Sequence, residues 1–358
     1  MSVSNRRPTS VDHRHPYVSS KPYSSGGGII SEECLRNFDM TALQLIHVLR
    51  ARRHLHGIAR NTPFDRSDVL TDRTDTQVYL KAECLQRTGS FKLRGAYHKV
   101  ALLDAAEKSR GIVTASAGNH AQGVGFAATQ FGIPGRIYVP EIIPKNKLQA
   151  IRTYQVEVII EGKVYDEAHE AALEDARKSG RAFISAFDDP LIMAGHATLG
   201  LEMLDDIPDL DAVLIPVGGG GLIGGVATVL KALNPAIHVI GCQSTASCAM
   251  ARSLEENTAY TTFPSKETIA EGLEGGISEL TFQLGRRLID QMVLVEEDEI
   301  RTAIRFLLKH HRLVVEGSGA VGVAALLSRR WAAPGRKVGV ILSGGNLDYS
   351  LLKRIVTA

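Results

Sequence analysis

The sequence predicts an α/β fold built on open, mostly parallel sheets. Two observations predict it: short runs rich in β-branched residues follow one another along the chain from Leu43 onward, and amphipathic stretches with helical spacing lie between them, as at 166–178 and 222–233. The predicted strands are 78–80, 112–114, 137–139, 156–160, 213–217, 239–242 and 338–342. Strands separated by helices form parallel sheets covered on both faces, and ligands bind beyond the carboxyl ends of their strands. Function is therefore expected in the strand-to-helix turns.

The composition favours a small-molecule ligand. The chain has 358 residues, enough for a compact two-domain enzyme. With 22% charged residues and a formal net charge of +2, no broad field favours nucleic acid or a membrane surface. No apolar run approaches the roughly 20 residues that span a bilayer. The four cysteines form no CxxC pair, which predicts reduced thiols and a cytoplasmic location.

Residues 1–28 are predicted to be a disordered arm. They are rich in Ser, Pro and basic side chains, end in three glycines, and contain too few apolar groups to offset the entropy of ordering. Two alternatives stay open at this point. The arm could be an organellar targeting segment, or it could bind nucleic acid or another partner in a protein without catalytic activity.

The most informative turn is the tetraglycine loop Gly218, Gly219, Gly220 and Gly221, which separates a predicted strand from a helix beginning near Leu222. Bare backbone amides and the positive end of a helix dipole make an anion site, and phosphate is its usual occupant. The loop also spells GxGxxG with Gly224, so a nicotinamide-dependent oxidoreductase is an alternative. That alternative requires an acidic residue after the next strand, where Gln243 stands.

Three further turns carry candidate side chains. Lys92 is flanked by Phe91 and Leu93, and partial desolvation there would favour the neutral amine that attacks an aldehyde, although a surface lysine is the simpler interpretation. A second turn presents donors suited to a carboxylate, or else an ordinary helix cap, through Ser116, Ala117, Gly118, Asn119 and His120. The third turn, Ser343 and Gly344, ends a strand.

Taken together, the runs 90–96 and 116–122, the tetraglycine loop and the run 342–346 resemble the threonine/serine dehydratase group of the type II, tryptophan-synthase-β-like family of pyridoxal-phosphate enzymes. The match extends from about Leu43 to the end of the sequence. The resemblance implies two open, mostly parallel sheets in a large and a small domain, with the cofactor between them. The large domain would comprise 29–105 and 188–358, and the small, substrate-closing domain 106–187. A homodimer or homotetramer is implied as well.

The resemblance also implies a role for each turn. Lys92 would bond covalently to pyridoxal 5'-phosphate and act as catalytic base, Phe91 would pack on its ring, and Asn119 would contact the ring 3-oxygen. Gly218 to Leu222 would bind the phosphate, and Ser343, with Gly344, would face the ring nitrogen. Ser116 to His120 would hold the substrate carboxylate. The implied reaction converts L-threonine, L-serine or a similar β-hydroxy amino acid to a 2-oxo acid and ammonia.

Departures from the family pattern bear on substrate and metal. Serine racemases of the family carry a serine at the position of Ala117, and alanine cannot donate a proton, so racemisation is expected to be slow. The stretch 243–249 contains no carboxylates for a divalent cation, which predicts no metal there. The segment 269–277 departs from threonine dehydratases after its start. A 3-hydroxyaspartate dehydratase and a serine racemase are therefore kept as alternatives.

Overall fold

The structure is a computed structural model that describes residues 43–357. The predicted N-terminal arm, residues 1–28, lies outside the described residues. Within 43–357 there is no helix that combines the length and the apolar character needed to cross a membrane.

The larger sheet has six strands in the order β1-β2-β10-β7-β8-β9. These strands are β1 (Phe64–Arg66), β2 (Gln77–Lys81), β7 (Ala212–Pro216), β8 (His238–Ser244), β9 (Gln291–Val295) and β10 (Lys337–Ile341). Every neighbouring pair is parallel except β1 with β2, at the edge. The mostly parallel sheet is therefore confirmed, and strands β1 and β9 are additions to the predicted set.

The smaller sheet has four strands in the order β5-β4-β3-β6, all parallel to their neighbours. They are β3 (Ile112–Ala115), β4 (Gly135–Val139), β5 (Glu157–Ile160) and β6 (Ala182–Phe183). Strand β6 has only two residues, too short for a recognisable run. All four strands fall within the segment predicted to form the small domain, and the limits of the two domains stay a prediction.

Helices connect the strands of both sheets. In the described part of the chain they are α1 (Leu45–Leu55), α2 (Asp68–Thr74), α3 (Lys92–Ala101), α4 (Ala105–Arg110), α5 (Asn119–Phe131), α6 (Lys145–Arg152), α7 (Tyr165–Ser179), α8 (Pro190–Asp206), α9 (Gly221–Leu233), α10 (Ala249–Glu256), α11 (Glu279–Leu288), α12 (Glu297–Phe306), α13 (Gly317–Leu327) and α14 (Tyr349–Thr357). The predicted helices 166–178 and 222–233 correspond to α7 and α9. Helix α7 shows why the prediction works: acidic residues occupy its first turn, basic residues its last, and Gly180 ends it at φ +69°.

Helix α3, which begins at Lys92, packs between helices α5 and α8. It lies against α8 on the side of the larger sheet and against α5 on the side of the smaller sheet. Two glycines allow the close approach: a Cβ at Gly123 of α5 would lie 3.0 Å from the Lys92 carbonyl oxygen, and a Cβ at Gly195 of α8 would clash with the Arg94 carbonyl. The start of α3 is therefore fixed from both sides.

A buried charge network anchors the same helix to the larger sheet. The Arg94 guanidinium donates two hydrogen bonds of 2.9 Å to Glu83 and bonds of 2.5 and 3.0 Å to Glu202. The Lys81 ammonium pairs with Glu202 at 2.8 Å and donates to the Thr62 carbonyl at the same distance. Arg94, Glu83 and Lys81 are fully buried. Two cations therefore balance two anions at Arg94, two residues beyond Lys92 on α3.

Candidate active site

The fold brings the predicted turns to one place. Lys92 opens α3, Asn119 opens α5 after strand β3, and the tetraglycine loop joins β7 to α9. Ser343 follows β10, and its carbonyl accepts a 3.1 Å hydrogen bond from the Phe91 backbone N–H. Because three of these turns follow parallel strands at their carboxyl ends, the site lies where ligands of open α/β sheets bind.

Lys92 has the properties of a nucleophilic amine. Its side chain lies beside the ring of Phe91, with Nζ 5.2 Å from the ring centroid, and Nζ donates a 2.6 Å hydrogen bond to the carbonyl of Ala186. Burial lowers the pKa of the Lys92 ammonium to about 8, because the charged form is poorly solvated there. A substantial fraction is therefore neutral near physiological pH, and a neutral amine can attack an aldehyde.

The tetraglycine loop is a cradle that side chains would fill. Gly220 has φ +93°, in the region that favours glycine, and a Cβ there would lie 2.7 Å from Thr281 Cβ. A Cβ at Gly219 would lie 2.5 Å from the ring of Phe187. The first-turn amides of α9 have no preceding carbonyls within the helix, and 218–225 contains no basic residue. Phosphate bound here would be held by backbone N–H groups and the helix dipole.

Asn119 is held by two partners that fix the orientation of its amide. Its Nδ2 donates a 2.6 Å hydrogen bond to Glu316 Oε1, and its Oδ1 accepts a 2.7 Å hydrogen bond from Asn346 Nδ2. With the oxygen engaged by Asn346, the second N–H is the group left to face a ligand. The geometry thus makes Asn119 a donor, which suits the predicted contact to an oxygen on the cofactor ring.

Glu316 is a site residue that sequence reasoning did not single out. It occupies the N-cap position of α13, and its backbone N–H donates to the Gly344 carbonyl at 3.1 Å. Burial raises the pKa of the Glu316 carboxyl to about 7, although the N–H of Asn119 and the charge of Lys147 act to lower it. A Cβ at Gly344 would clash with the Glu316 carboxylate, so Gly344 leaves the space that brings Glu316 to Asn119.

The turn predicted to hold the substrate carboxylate is polar and open. Ser116 Oγ accepts a 3.2 Å hydrogen bond from the Gly118 N–H, and nothing lies within 4 Å of a Cβ placed at Gly118. His120 differs, because its ring is buried and Nε2 lies 2.9 Å from the Ile184 carbonyl, to which it must donate. Burial lowers the pKa of the His120 imidazole to about 3. His120 therefore offers a ligand its backbone N–H, while its ring belongs to the interior.

The segment after β6 was also missed. The Ala186 carbonyl accepts the hydrogen bond from Lys92 Nζ, and the Phe187 ring packs against the glycine loop. The same segment borders a cavity of about 320 Å³ that Tyr165 and His169 of α7 also line. Residues 185–188 thus contact the Lys92 amine and the glycine loop, and they line part of the cavity.

The comparisons with known proteins agree with this geometry. The family model described as pyridoxal-phosphate dependent enzyme matches residues 56–344. The chain belongs to this pyridoxal-phosphate-dependent family. It is 45% identical over 315 residues to an L-threonine ammonia-lyase of Thermotoga maritima, covering 88% of this chain and 78% of that protein. It is 40% identical over 311 residues to the catabolic L-threonine dehydratase of Escherichia coli, covering 86% and 94%.

Solved structures of the family have the same fold. The processed form of threonine deaminase isoform 2 from Solanum lycopersicum superposes with a TM-score of 0.83 at 36% identity, over 87% of this chain and 92% of that one. Maize serine racemase superposes with a TM-score of 0.84 at 30% identity, over 87% and 96%. Fold type II is therefore confirmed, and a nicotinamide-dependent oxidoreductase is no longer an alternative.

The residues present fit pyridoxal phosphate. The cofactor has an aldehyde, a phosphate and a ring oxygen, and the chain places a desolvated amine at Lys92, a glycine cradle at the start of α9 and an N–H donor at Asn119. The individual roles of these residues stay predictions.

The cradle can be tested with Gly220→Ala. A methyl group at φ +93° is strained and would also meet Thr281, so the loop must shift and its amides lose their alignment. We expect the dissociation constant of pyridoxal phosphate, titrated into apoprotein by absorbance, to rise by roughly tenfold or more, in keeping with 1–3 kcal/mol of backbone strain.

Gly335→Ala is the matched control. Gly335 also has a positive φ, +73°, but nothing lies within 4 Å of its Cβ position and it is remote in sequence from the loop. Both variants therefore lose some stability through the backbone, while only Gly220→Ala should weaken the cofactor. Equal cofactor affinity in the two variants would refute a phosphate cradle at this loop.

Proposed function

We propose that this member of the family is a dehydratase, or ammonia-lyase, that converts L-threonine, L-serine or a similar β-hydroxy amino acid to a 2-oxo acid and ammonia. The observation that carries the proposal is the buried Lys92 amine, which donates a hydrogen bond to the Ala186 carbonyl, next to the Phe187 that lies against the glycine loop. The named relatives, an L-threonine ammonia-lyase and an L-threonine dehydratase, support the same reaction.

The side chains of this chain divide the work. Pyridoxal phosphate held by these residues would withdraw electrons from the amino acid Cα and so make its proton more acidic. Burial lowers the pKa of Lys92, so more of its Nζ is neutral, and the neutral amine takes the Cα proton as general base. The backbone donors of Ser116 to His120 hold the substrate carboxylate. Asn119 would contact the ring 3-oxygen, the glycine loop would bind the phosphate, and Phe91 would pack on the ring.

Ser343 biases the reaction. A hydroxyl beside the ring nitrogen can donate or accept a hydrogen bond, but unlike a carboxylate it does not favour a protonated ring. An unprotonated ring would delocalise the negative charge at Cα poorly. Expulsion of the β-hydroxyl would then relieve that charge more readily than reprotonation. This favours elimination over transamination.

The second candidate reaction is serine racemisation, which is considered because maize serine racemase is a structural relative. Ala117 argues against it. A racemase that works from two faces needs a proton donor opposite Lys92, and Ala117 has none. The other alternative, dehydration of 3-hydroxyaspartate, differs in the β-substituent. The 3-hydroxyaspartates in the substrate screen test that part of the substrate directly.

The deciding experiment measures ammonia and 2-oxo acid release from L-threonine, L-serine, their D-forms and the 3-hydroxyaspartates. We expect release from an L-β-hydroxy amino acid, with D-serine formed from L-serine much more slowly than pyruvate. General acid assistance contributes roughly 10² to 10⁴ in rate, so its absence should be evident in that ratio. Chiral analysis of the unreacted serine gives the measurement.

Ala117→Ser provides the comparison for the racemisation ratio. The added hydroxyl should raise racemisation relative to elimination. D-serine appearing as fast as pyruvate in the unmodified protein would contradict the assignment of Ala117. Oxo-acid release from none of these compounds would contradict the dehydratase proposal itself.

We further infer a cytoplasmic protein that assembles as a homodimer or homotetramer. The absence of CxxC pairs supports reduced thiols, and the resemblance to the dehydratase group supports the assembly. Sedimentation equilibrium of the purified protein measures the assembly directly, and a monomer at micromolar concentration would exclude it.

A further inference from the structure

Helix α6, which follows strand β4 of the smaller sheet, reaches across to two chain segments beside the larger sheet. Asn146 Nδ2 donates a 2.8 Å hydrogen bond to Asp348 Oδ2, and the Lys147 ammonium forms an ion pair with Glu271. Neither contact is used in the chemistry proposed above. We call these four residues the α6 clasp.

The Glu271 end of the clasp touches the phosphate cradle. Glu271 begins a short 3₁₀ turn whose Gly272 N–H donates to Ser318 Oγ at 2.9 Å. The Gly272 carbonyl oxygen lies only 3.0 Å from the position of a Cβ at Gly218. The turn is thus packed between the start of α13 and the glycine loop, so a displacement of Glu271 is transmitted to that loop.

The Asp348 end of the clasp lies next to the residue that holds Asn119. Asp348 is two residues beyond Asn346, which donates to Asn119 Oδ1 at 2.7 Å and to the Thr88 carbonyl at 2.9 Å. The second carboxylate oxygen of Asp348 accepts a 3.0 Å hydrogen bond from the Leu351 N–H. Asn146 therefore contacts a segment that is fixed to α14 on one side and to Asn119 on the other.

The clasp is made of bonds that can open. The Lys147 and Glu271 side chains are 27% and 55% exposed, so water competes for both. Exposed ion pairs add little to global stability, yet a small differential energy is enough to bias two arrangements of a closing element. The one buried residue of α6, Ile151, packs with Ile137 and Val139 of the smaller sheet, so the clasp contacts to the other segments are polar.

We propose that Lys147 and Asn146 are positioning residues that close α6 over the site and, through Glu271 and Asp348, hold the glycine loop and Asn119 in place. The inference rests on the proposed function for its catalytic consequence. It identifies two contacts, Asn146 with Asp348 and Lys147 with Glu271, that couple the position of α6 to the residues predicted to bind the cofactor.

Charge reversal tests the clasp. Lys147→Glu places two carboxylates together, Glu271→Lys places two ammonium groups together, and the double variant restores an opposite pair. Lys178→Glu is the matched control, because Lys178 pairs with Glu174 at 3.0 Å within the single helix α7 and is also exposed. Kinetic constants, the dissociation constant of pyridoxal phosphate and the thermal midpoint are measured for all five proteins, wild type included.

Each single reversal should lower kcat/KM by about tenfold, with kcat falling and KM rising together, as expected for a closing element. The cofactor should dissociate several-fold more readily. The double variant should return to within about threefold of wild type in both quantities, because additive damage is not expected for residues in contact. Lys178→Glu should match wild type.

Cofactor affinity keeps the test independent of the reaction. Should no amino acid be dehydrated, recovery of affinity in the double variant would still support the clasp while the proposed function fails. If the protein dehydrates an amino acid but the double variant loses as much cofactor affinity and kcat/KM as the two single variants combined, the clasp is refuted and the proposed function stands. Asn146→Asp, which sets a carboxylate against Asp348 at unchanged size, must weaken cofactor binding as well, and normal affinity there also refutes the proposal.

Discussion

Lys92→Ala should abolish most of the oxo-acid release, lowering kcat by about 10²- to 10⁴-fold, the range that one general base contributes. Alanine removes both the nucleophile that bonds to the cofactor and the base that takes the Cα proton. Lys92→Arg should be comparably inactive, because a guanidinium keeps the positive charge but does not deprotonate. Steady-state assays with saturating pyridoxal phosphate and the best substrate from the screen measure the loss.

A chemical readout identifies the lysine itself. Borohydride reduction of the holoenzyme should fix the pyridoxyl group on the peptide that contains Lys92, and mass spectrometry locates it. Because the pKa of Lys92 is lowered to about 8, the rate at which apoprotein takes up the cofactor should rise with pH as that amine loses its proton. A label on another lysine would contradict the assignment.

Lys99→Ala is the control for Lys92. Lys99 lies on the same helix, α3, but its ammonium pairs with Asp189 at 2.8 Å and contacts no predicted cofactor group. Its removal should leave kcat and the labelled peptide unchanged. An equal loss in both variants would mean that any disturbance of α3 stops the reaction, and Lys92 would then carry no special role.

The sequence predicted most of the sheet strands because each contains a short apolar run with β-branched residues. Strand β7, for example, is buried along its whole length, and so reads as a continuous apolar run. Strand β6 could not be found that way, since two half-buried residues carry no periodicity. Strand β9 alternates only weakly and begins with an exposed Gln291, and a run of that kind is ambiguous between strand and helix.

Some residues of the candidate site could also be predicted from the sequence, and others could not. Lys92, Asn119 and the glycine loop are visible because each lies in a local motif at the start of a helix. Glu316 acts through contacts to Asn119 and Gly344 that are distant in sequence, so no local pattern indicates it. The orientation of the His120 ring likewise depends on the Ile184 carbonyl, which only the packing of β6 beside β3 brings near.

Glu83→Gln should lower the free energy of unfolding by about 3–5 kcal/mol at pH 7, the usual cost of leaving one charge of a buried pair without its partner. Arg94 is fully buried and donates two of its hydrogen bonds to Glu83, so an amide leaves the guanidinium under-compensated. The midpoint of urea unfolding of the apoprotein measures the change without a contribution from cofactor binding.

The pH dependence of the unfolding free energy shows whether Glu83→Gln acts through the lost charge or through altered packing of the side chain. Burial acts to raise the pKa of the Glu83 carboxyl, but the charge and hydrogen bonds of Arg94 outweigh it and leave the pKa below its ordinary value. A carboxyl with a depressed folded pKa stabilises the fold above its unfolded pKa and loses that contribution as pH falls through the folded value. The difference between wild type and Glu83→Gln should therefore be largest near neutrality and shrink in acid.

Glu255→Gln is the surface counterpart. Glu255 pairs with Arg252 at 2.7 Å on helix α10, but both side chains are more than half exposed, and such pairs contribute little. Its unfolding midpoint should match wild type across the same pH range. A pH-independent loss in Glu83→Gln would instead mean that packing of the side chain, and not its charge, anchors α3 beneath Lys92.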